Sequence, residues 1–312
     1  IRSKVNCNNM KTILITGGTG LIGRYLIKSL SKDSNTIHVL TRSESRFENN
    51  VNFINWDPDS QRLDLSNIPA VDYIINLAGA SIDGSRWTNS YKRKILESRL
   101  NSTSLLFKEI KKLKQKPSLY IGASATGFYK KNTKVAQVEK DYKGSDFLSD
   151  VVAKWEKESN NFMKYGIRTV LLRIGLVLSK DGGVLKKLYP IFKLFLGVPI
   201  GSGRQTISWI HIKDLVDFIH KSIGDNKISG VYNLTAPEVI TNYKFTEELA
   251  LVWKRPVFPK IFKAPSLIVK LLFGEQSSLV LNGLNVSSKK IESTSFKFSF
   301  TNIKSALKDI YR

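Results

Sequence analysis

A parallel, doubly wound α/β sheet with a smaller C-terminal α+β lobe is the fold class this sequence predicts, on three observations. Over residues 11–30 an apolar β-type run turns through glycines into an amphipathic helix. Strand-like and helix-like segments then alternate as far as residue 174. Beyond about residue 178 the alternation loosens into chain punctuated by glycine and proline. Strands separated by helices at this spacing form βαβ units, which assemble into a parallel sheet covered on both faces.

The elements follow in order. Residues 13–15 read as a buried strand, Gly17, Gly18 and Gly20 leave Thr19 the one side chain in the next turn, and residues 21–30, with Gly23 in their first turn, continue as a helix. Residues 36–40 are a second strand and 51–55 a third, stopped by Pro58, whose ring disfavours regular structure before it. Residues 72–77 form a fourth strand that ends in Ala78-Gly79-Ala80. Residues 87–116 are a helix with basic outer positions, and 118–123 a fifth strand. Residues 146–164 place Phe147, Val151, Val152, Trp155 and Phe162 on one helical face, with Ser145 or Asp146 as N-cap. Residues 169–174 are a sixth strand. Residues 214–220 are helical again and 230–234 a short strand; two or three helices and a short aromatic β segment (Phe296, Phe298, Phe300) follow residue 241. The domain reading is one large domain over 11–236, with 179–206 contributing to a lobe, and a small C-terminal lobe over 237–312.

Composition narrows the function classes. At 312 residues the chain holds one large α/β domain or a domain plus a lobe. The single cysteine, Cys7, excludes an internal disulfide framework and fits a reducing compartment. Three histidines without a Cys/His cluster speak against structural zinc. The net charge of +23 raises nucleic acid, anionic lipid or an anionic substrate as partners, but the lysines are dispersed and no nucleic-acid-binding module accompanies them. They read as a solvated surface, and no nucleic acid is expected. No apolar run is long enough to span a bilayer; residues 267–273 are interrupted by Lys270. Residues 189–196 set Lys193 among Ile191, Phe192 and Phe195, which suits a lid over the cleft or, second, peripheral contact with a membrane surface. Residues 1–9 read as a disordered lead-in. A cytoplasmic protein is expected; a transit-peptide stub there would instead imply the plastid stroma.

The glycine turn carries the sharpest chemical implication. Its spacing is Gly18-x-Gly20-x-x-Gly23, in the strand–turn–helix context of a dinucleotide-binding fingerprint. A helix start carries unpaired N–H groups and partial positive charge, so a diphosphate sits on it once side chains are out of the way. Gly17, Gly18, Thr19, Gly20, Leu21 and Ile22 are the candidate phosphate cradle. An NAD site needs a carboxylate at the end of the second strand for the ribose 2′-hydroxyl. This chain has Thr41-Arg42 there, and a planar cation suits a 2′-phosphate. Arg24 joins it, so NADP is the expected cofactor, with Glu44 the residue that would take the acidic role if the turn were shifted. Asp57 reads equally as a ligand of the adenine edge or as a turn aspartate before Pro58. Leu77, Ala78 and Gly79 let the nicotinamide half lie against the sheet edge.

The motifs Ile15-Thr-Gly-Gly-Thr-Gly-Leu-Ile-Gly-Arg24, Asn76-Leu-Ala-Gly-Ala80, Ser85-Arg-Trp87 and Ser98-Arg99 are followed by Ala123-Ser-Ala-Thr-Gly-Phe-Tyr129 and Leu171-Leu-Arg-Ile-Gly-Leu-Val-Leu178. Pro199-Ile-Gly-Ser-Gly-Arg-Gln205, Ser208-Trp-Ile-His-Ile212 and Asn233-Leu-Thr-Ala-Pro237 complete the series. Together they resemble an atypical, epimerase-like branch of the short-chain dehydrogenase/reductase superfamily, family 39U, from about residue 11 to 305. Leu272-Phe-Gly-Glu275 looks like that family's own terminal domain. The resemblance implies an NADP-binding oxidoreductase or nucleotide-sugar-epimerase-like protein of unspecified substrate, with Ser124 and Arg173 at the cofactor. The alternative it leaves is a non-catalytic NADP-binding regulator, since some bacterial and plastid members are associated with cell division.

The superfamily's usual chemistry needs a Ser/Thr, a Tyr and a Lys four residues later, one helical turn apart, so that the ammonium lowers the phenol pKa. Ser124 ends strand five and fits the serine slot. The following helix holds no tyrosine, Lys154 is a weak stand-in for the lysine, and the literal Tyr189-x-x-x-Lys193 falls after strand six with Pro190 inside it. Ser124 and Tyr129 are therefore the candidate catalytic residues. Arg86, Trp87, Arg204 and Gln205 are expected to line the cleft for a small-molecule substrate, and His211 to orient backbone rather than catalyse.

Overall fold

A computed structural model describes residues 10–68, 70–259 and 262–312; Cys7 and the expected lead-in lie outside the described residues. The strands are β1 (Thr12–Thr16), β2 (Thr36–Thr41), β3 (Arg46–Glu48), β4 (Val51–Asn55), β5 (Tyr73–Asn76), β6 (Leu119–Ala125), β7 (Arg168–Ile174), β8 (Leu176–Leu178), β9 (Thr206–Ile207), β10 (Trp209–His211), β11 (Gly230–Leu234) and β12 (Ile240–Thr241). Eight of them make the main sheet, in the order β11-β7-β6-β5-β1-β2-β4-β3. Every pair in it is parallel except β3–β4. The chain runs outward from β1 through β2 to β4 on one side, then returns to place β5, β6, β7 and β11 on the other. The order reverses between β1 and β5. A crevice opens at such a switch point, outside the C-terminal strand ends, and ligands bind there.

The helices are α1 (Leu21–Leu30), α2 (Asn89–Ile110), α3 (Phe147–Lys164), α4 (Gly183–Lys193), α5 (Ile212–Gly224), α6 (Asn242–Val252), α7 (Ser266–Phe273), α8 (Ser278–Leu281), α9 (Lys289–Glu292) and α10 (Ile303–Ile310). The period-two alternation of the strands divides the core into two layers. Ile13 and Ile15 of β1 face Leu26 and Leu30 of α1 and Phe218 and Ile219 of α5. Leu14, between them, joins Tyr120, Leu171, Leu105, Leu106 and Phe162 on the α2–α3 side. All of these are at most 2 % exposed, and each such aliphatic side chain contributes about 1.5–3 kcal/mol by leaving water. A third core, built from Leu178, Leu185, Phe192, Trp209, Phe245, Leu249, Ile303 and Leu307, belongs to the lobe.

The parallel α/β sheet matches the sequence expectation, and three local readings change. Residues 183–193, expected as loop, form α4: Gly182 precedes the helix instead of breaking it, and Pro190 sits within it. The helix buries Leu185 and Phe192 and leaves Tyr189, Ile191, Leu194 and Phe195 exposed. The aromatic segment at 296–300 is not a strand. Its amides at Ser299 and Phe300 donate to the buried Asp214 carboxylate (2.7 and 3.0 Å), so they have no ladder to join. Phe296 and Phe298 pack instead on the α5 side of the sheet. Among the described residues five α-helices, not two or three, follow residue 241, because α8 and α9 are single turns that apolar periodicity does not reveal. Among the described residues no helix is long and apolar enough to cross a membrane.

Candidate functional site

The glycine turn sits at the switch point. Gly17 has φ +69°, and a Cβ there would lie 2.7 Å from the Leu77 carbonyl carbon and oxygen, so only glycine lets β1 and β5 approach this closely. A Cβ on Gly18 would strike Val39 (2.6 Å), and one on Gly23 would strike the Gly17 oxygen (2.4 Å). These three glycines are consumed by packing. Gly20 differs: it is exposed, it is the N-cap of α1 with no side chain to cap it, and its Cβ would meet only the Gly17 oxygen at 3.2 Å. The helix start thus faces open space with its first amides unpaired, and a diphosphate fits that cradle. Thr16 and Asn76 hold the two strand ends together. Thr16 Oγ1 donates to Asn76 Oδ1 (2.6 Å) and accepts from the Ala78 amide (3.1 Å), while Asn76 Nδ2 donates to Thr103 and Tyr120 (both 3.0 Å).

At the ribose end, Thr41 is buried and Ser43 N–H donates to its hydroxyl (3.2 Å). Arg24 and Arg42 are exposed, as is Glu44. Neither arginine has an ion-pair or side-chain hydrogen-bond partner among the described residues, in contrast to Arg46, which pairs with Glu48 at 3.0 Å. Asp57 spends its carboxylate within its own turn, accepting from the Asp59 and Ser60 amides (3.1 and 3.3 Å) and from the Ser60 hydroxyl. These bonds, the Ser60 hydroxyl foremost, hold its carboxyl below the usual aspartate range.

Ser124, Tyr129 and Arg173 come together, but as members of a buried network. Ser124 Oγ donates to Glu156 Oε1 (2.5 Å). Arg173 clamps Glu156 with Nε and Nη2 (2.8 Å each) and gives Nη1 to the Tyr129 hydroxyl (2.8 Å), which in turn donates to Asn233 Oδ1 (2.6 Å). Arg173, expected at the cofactor, thus spends its fork on protein, and its guanidinium lies 3.5 Å from the Phe128 ring centroid. Tyr129 is fully buried, and burial pushes its phenol up to about 12. Ser124 is 3 % exposed. Glu156 was missed by sequence reasoning, yet a signal existed: it shares the apolar face of α3 with Val152, Trp155 and Ser159, where a carboxylate requires a partner. Asp146, one of the two expected caps of α3, accepts from Leu148 and Ser149 (2.9 and 3.1 Å). Lys154 points outward and is exposed.

The segment that follows β5 is tied to α4 and to residues 275 and 276. Asp83 pairs with Lys187 of α4 (2.5 Å), Lys92 pairs with Glu275, and Gln276 donates to the Ser85 carbonyl (2.5 Å). Trp87 donates to the Ile82 carbonyl (2.7 Å) and meets Phe147 edge-on. Arg86 extends over Gly274 without an ion-pair partner among the described residues. Arg204 is exposed and equally unpaired, whereas Gln205 staples the lobe by donating to the Ile200 and Val280 carbonyls (2.9 Å each). His211 caps α5, its Nδ1 accepting from the Lys213 amide (3.1 Å), and burial pushes its pKa down to about 4.

Known proteins share this arrangement. Residues 13–235 match the NAD dependent epimerase/dehydratase family, and residues 264–310 match a domain of unknown function, DUF1731. An epimerase family protein of Staphylococcus saprophyticus is 40 % identical over 304 residues, covering 96 % of this chain and 99 % of that protein. The crystal structure of human epimerase family protein SDR39U1 (isoform 2), solved with NADPH, superposes with a TM-score of 0.85 at 31 % identity, covering 96 % of this chain and 99 % of that one. A nucleoside-diphosphate sugar epimerase from Corynebacterium glutamicum superposes with a TM-score of 0.77 at 29 % identity; 97 % of this chain matches 58 % of that one. A UDP-glucose 4-epimerase of Thermotoga maritima, at 16 % identity, shares the fold (TM-score 0.75). With a dinucleotide fingerprint at the switch point of its sheet and a family match over residues 13–235, the chain belongs to the NAD dependent epimerase/dehydratase family.

Proposed function

We propose that the crevice binds NADP(H) in preference to NAD(H), and that the protein is an oxidoreductase or nucleotide-sugar-epimerase-like enzyme acting on a small polar substrate. The observation that carries the cofactor preference is the pair of exposed, unpaired guanidiniums, Arg24 and Arg42, at the helix and strand ends beside the glycine turn. A doubly charged 2′-phosphate gives them the partner they lack, and Glu44 is the one carboxylate in the turn that follows β2. The NADPH bound by the human relative accords with this reading. Gly20 and the first amides of α1 would hold the diphosphate; Leu77, Ala78 and Gly79 would carry the nicotinamide half. The bound nicotinamide supplies a carbon that accepts and returns hydride.

Ser124 donates its proton to Glu156, so it offers oxygen lone pairs rather than a proton to a ligand. Tyr129 holds its proton on Asn233 under a raised pKa. In this reading the network fixes the floor of the crevice at the ends of β6, β7 and β11. Arg86, Trp87 and Arg204 recognise the substrate at the lobe wall.

Calorimetric titration tests the cofactor assignment. NADPH binds more tightly than NADH, and Arg42→Ala or Arg24→Ala weakens NADPH about 10- to 100-fold, the scale of a charge-assisted hydrogen bond, without weakening NADH. A wild-type preference for NADH overturns it. Assay of the NADP-loaded protein against nucleotide sugars and carbonyl compounds, followed by absorbance of the reduced cofactor, tests the reaction class. Tight binding with no turnover across the panel would leave the non-catalytic dinucleotide-binding regulator.

A further inference from the structure

Arg99 and Arg173 are both withdrawn from solvent, and among the described residues only Arg173 meets a carboxylate. Arg173 is clamped on Glu156. Arg99, on the inner side of α2, has no carboxylate partner among the described residues. Burial pushes its pKa down to about 10, and no carboxylate opposes that shift. Protein atoms hold it in place without neutralising it. Its Nη1 donates to the Ile95 carbonyl of its own helix (2.7 Å), and its guanidinium carbon lies 5.1 Å from the Trp155 ring centroid. A Cβ on Gly79 would sit 3.1 Å from Arg99 Cζ, so the guanidinium packs directly on that glycine backbone.

The surrounding carboxylates are engaged elsewhere: Glu97 with Arg93, Glu275 with Lys92, Asp83 with Lys187, Glu156 with Arg173. Nε and Nη2 of Arg99 make no hydrogen bond among the described residues, and neither belongs to the polar atoms sealed from solvent without a partner. Those donors therefore reach solvent, and the guanidinium that carries them lies against the Gly79 loop. Their position is specific. Gly79 lies two residues beyond Leu77, the residue that Gly17 touches at the switch point, and the neighbouring Ser98 accepts the Ala80 amide (2.9 Å), fixing α2 to this loop. A mostly buried cation with a free planar fork is costly in the empty protein and favourable once an oxyanion arrives.

We propose that Arg99 is the anion receptor of the crevice, taking a phosphoryl or carboxylate oxygen of the bound ligand in the outward-facing part of its fork. The inference rests on the dinucleotide reading of the crevice. The oxyanion comes from the dinucleotide's pyrophosphate or from an acidic group on the substrate beside it.

The test compares the full-length protein with Arg99→Gln and Arg99→Lys. If the pyrophosphate is the ligand, Arg99→Gln weakens NADPH at least tenfold and leaves adenosine 2′-monophosphate, which has no pyrophosphate, unchanged. If the substrate is the source, NADPH affinity is unchanged, and binding of UDP or malonate to the NADPH-loaded protein weakens at least tenfold. In either case Arg99→Lys recovers part of the loss, because charge survives while the fork does not. Ligand-free Arg99→Gln unfolds at the wild-type temperature or above it. Unchanged affinity for all four probes overturns the proposal, as does a marked drop in the ligand-free unfolding temperature, which identifies a structural arginine. Wild-type protein that fails to bind NADPH overturns the crevice reading itself, a separate result from wild-type binding that the variant shares.

Discussion

Glu156 is worth more to this protein than its solvent-facing relatives, because its two oxygens satisfy three donors from two elements, Ser124 at the end of β6 and Arg173 in β7. Removing one member of a buried pair strands the other charge without water, which typically costs about 3–5 kcal/mol. Glu156→Gln should therefore lower the free energy of unfolding by about that amount in urea titration. Replacing the pair together, as Glu156→Leu with Arg173→Met, should recover most of the loss, because no stranded charge remains. A double variant as unstable as the single one would show that the Tyr129–Asn233 end of the network carries the stability instead. The network was only half legible in sequence. Ser124 and Arg173 stand at strand ends within recognisable motifs, but Glu156 and Asn233 reach them from 32 and 104 residues away from Ser124 and Tyr129 respectively. No local pattern reports such a pairing.

The βα turn is the element where local chemistry and fold agree most closely. All its signals lie within one strand, one turn and one helix, and α1 occupies the expected residues 21–30. Two variants separate its roles. Gly17→Ala places a Cβ at 2.7 Å from the Leu77 carbonyl under a left-handed backbone, so it should destabilise the fold by about 1–3 kcal/mol and abolish dinucleotide binding as well. Gly20→Ala meets one atom, the Gly17 oxygen at 3.2 Å, and places alanine at an N-cap, so it should lower the free energy of unfolding by about 1 kcal/mol or less. Its added methyl stands at the diphosphate cradle, so NADPH affinity should still fall at least tenfold. Equal NADPH affinity in Gly20→Ala and wild type would place the diphosphate elsewhere. The elements that sequence reading mistook show the opposite situation. Gly182 and Pro190 are local breakers that the lobe core overrides by burying Leu185 and Phe192. The alternation of Phe296, Phe298 and Phe300 reads as a strand until Asp214, more than eighty residues away, takes the backbone amides at 299 and 300.

For the molecule as a whole, the Rossmann-type sheet and the lobe share one acid-sensitive joint. His211 ends β10, caps α5, and lies 3.6 Å from Asp309 of α10. Its folded pKa near 4 is below the value of about 6.5 it has in the unfolded chain. Between those values the unfolded chain binds the proton and the folded one does not, so acid favours unfolding. Stability conferred by the neutral imidazole is complete above about pH 6.5 and declines as pH falls toward 4, by about 1.4 kcal/mol per pH unit. Burial shifts His38 in the same direction. Urea midpoints measured from pH 7 to 4.5 should fall accordingly. His211→Asn, which keeps a capping side chain, should flatten the slope without abolishing it; an unchanged slope would remove His211 as its source.

A short segment after α8 also stitches the middle of the fold together. Residues 283–287 exchange hydrogen bonds with Asn132, Gln137, Thr206, Ser208 and Asn233, which together span the segment between β6 and β11. During synthesis those amino acids emerge after every strand of the main sheet is already free of the ribosome. A nascent chain can therefore pleat its sheet early, yet the segment between β6 and β11 gains these partners only once residues 283–287 have followed it out.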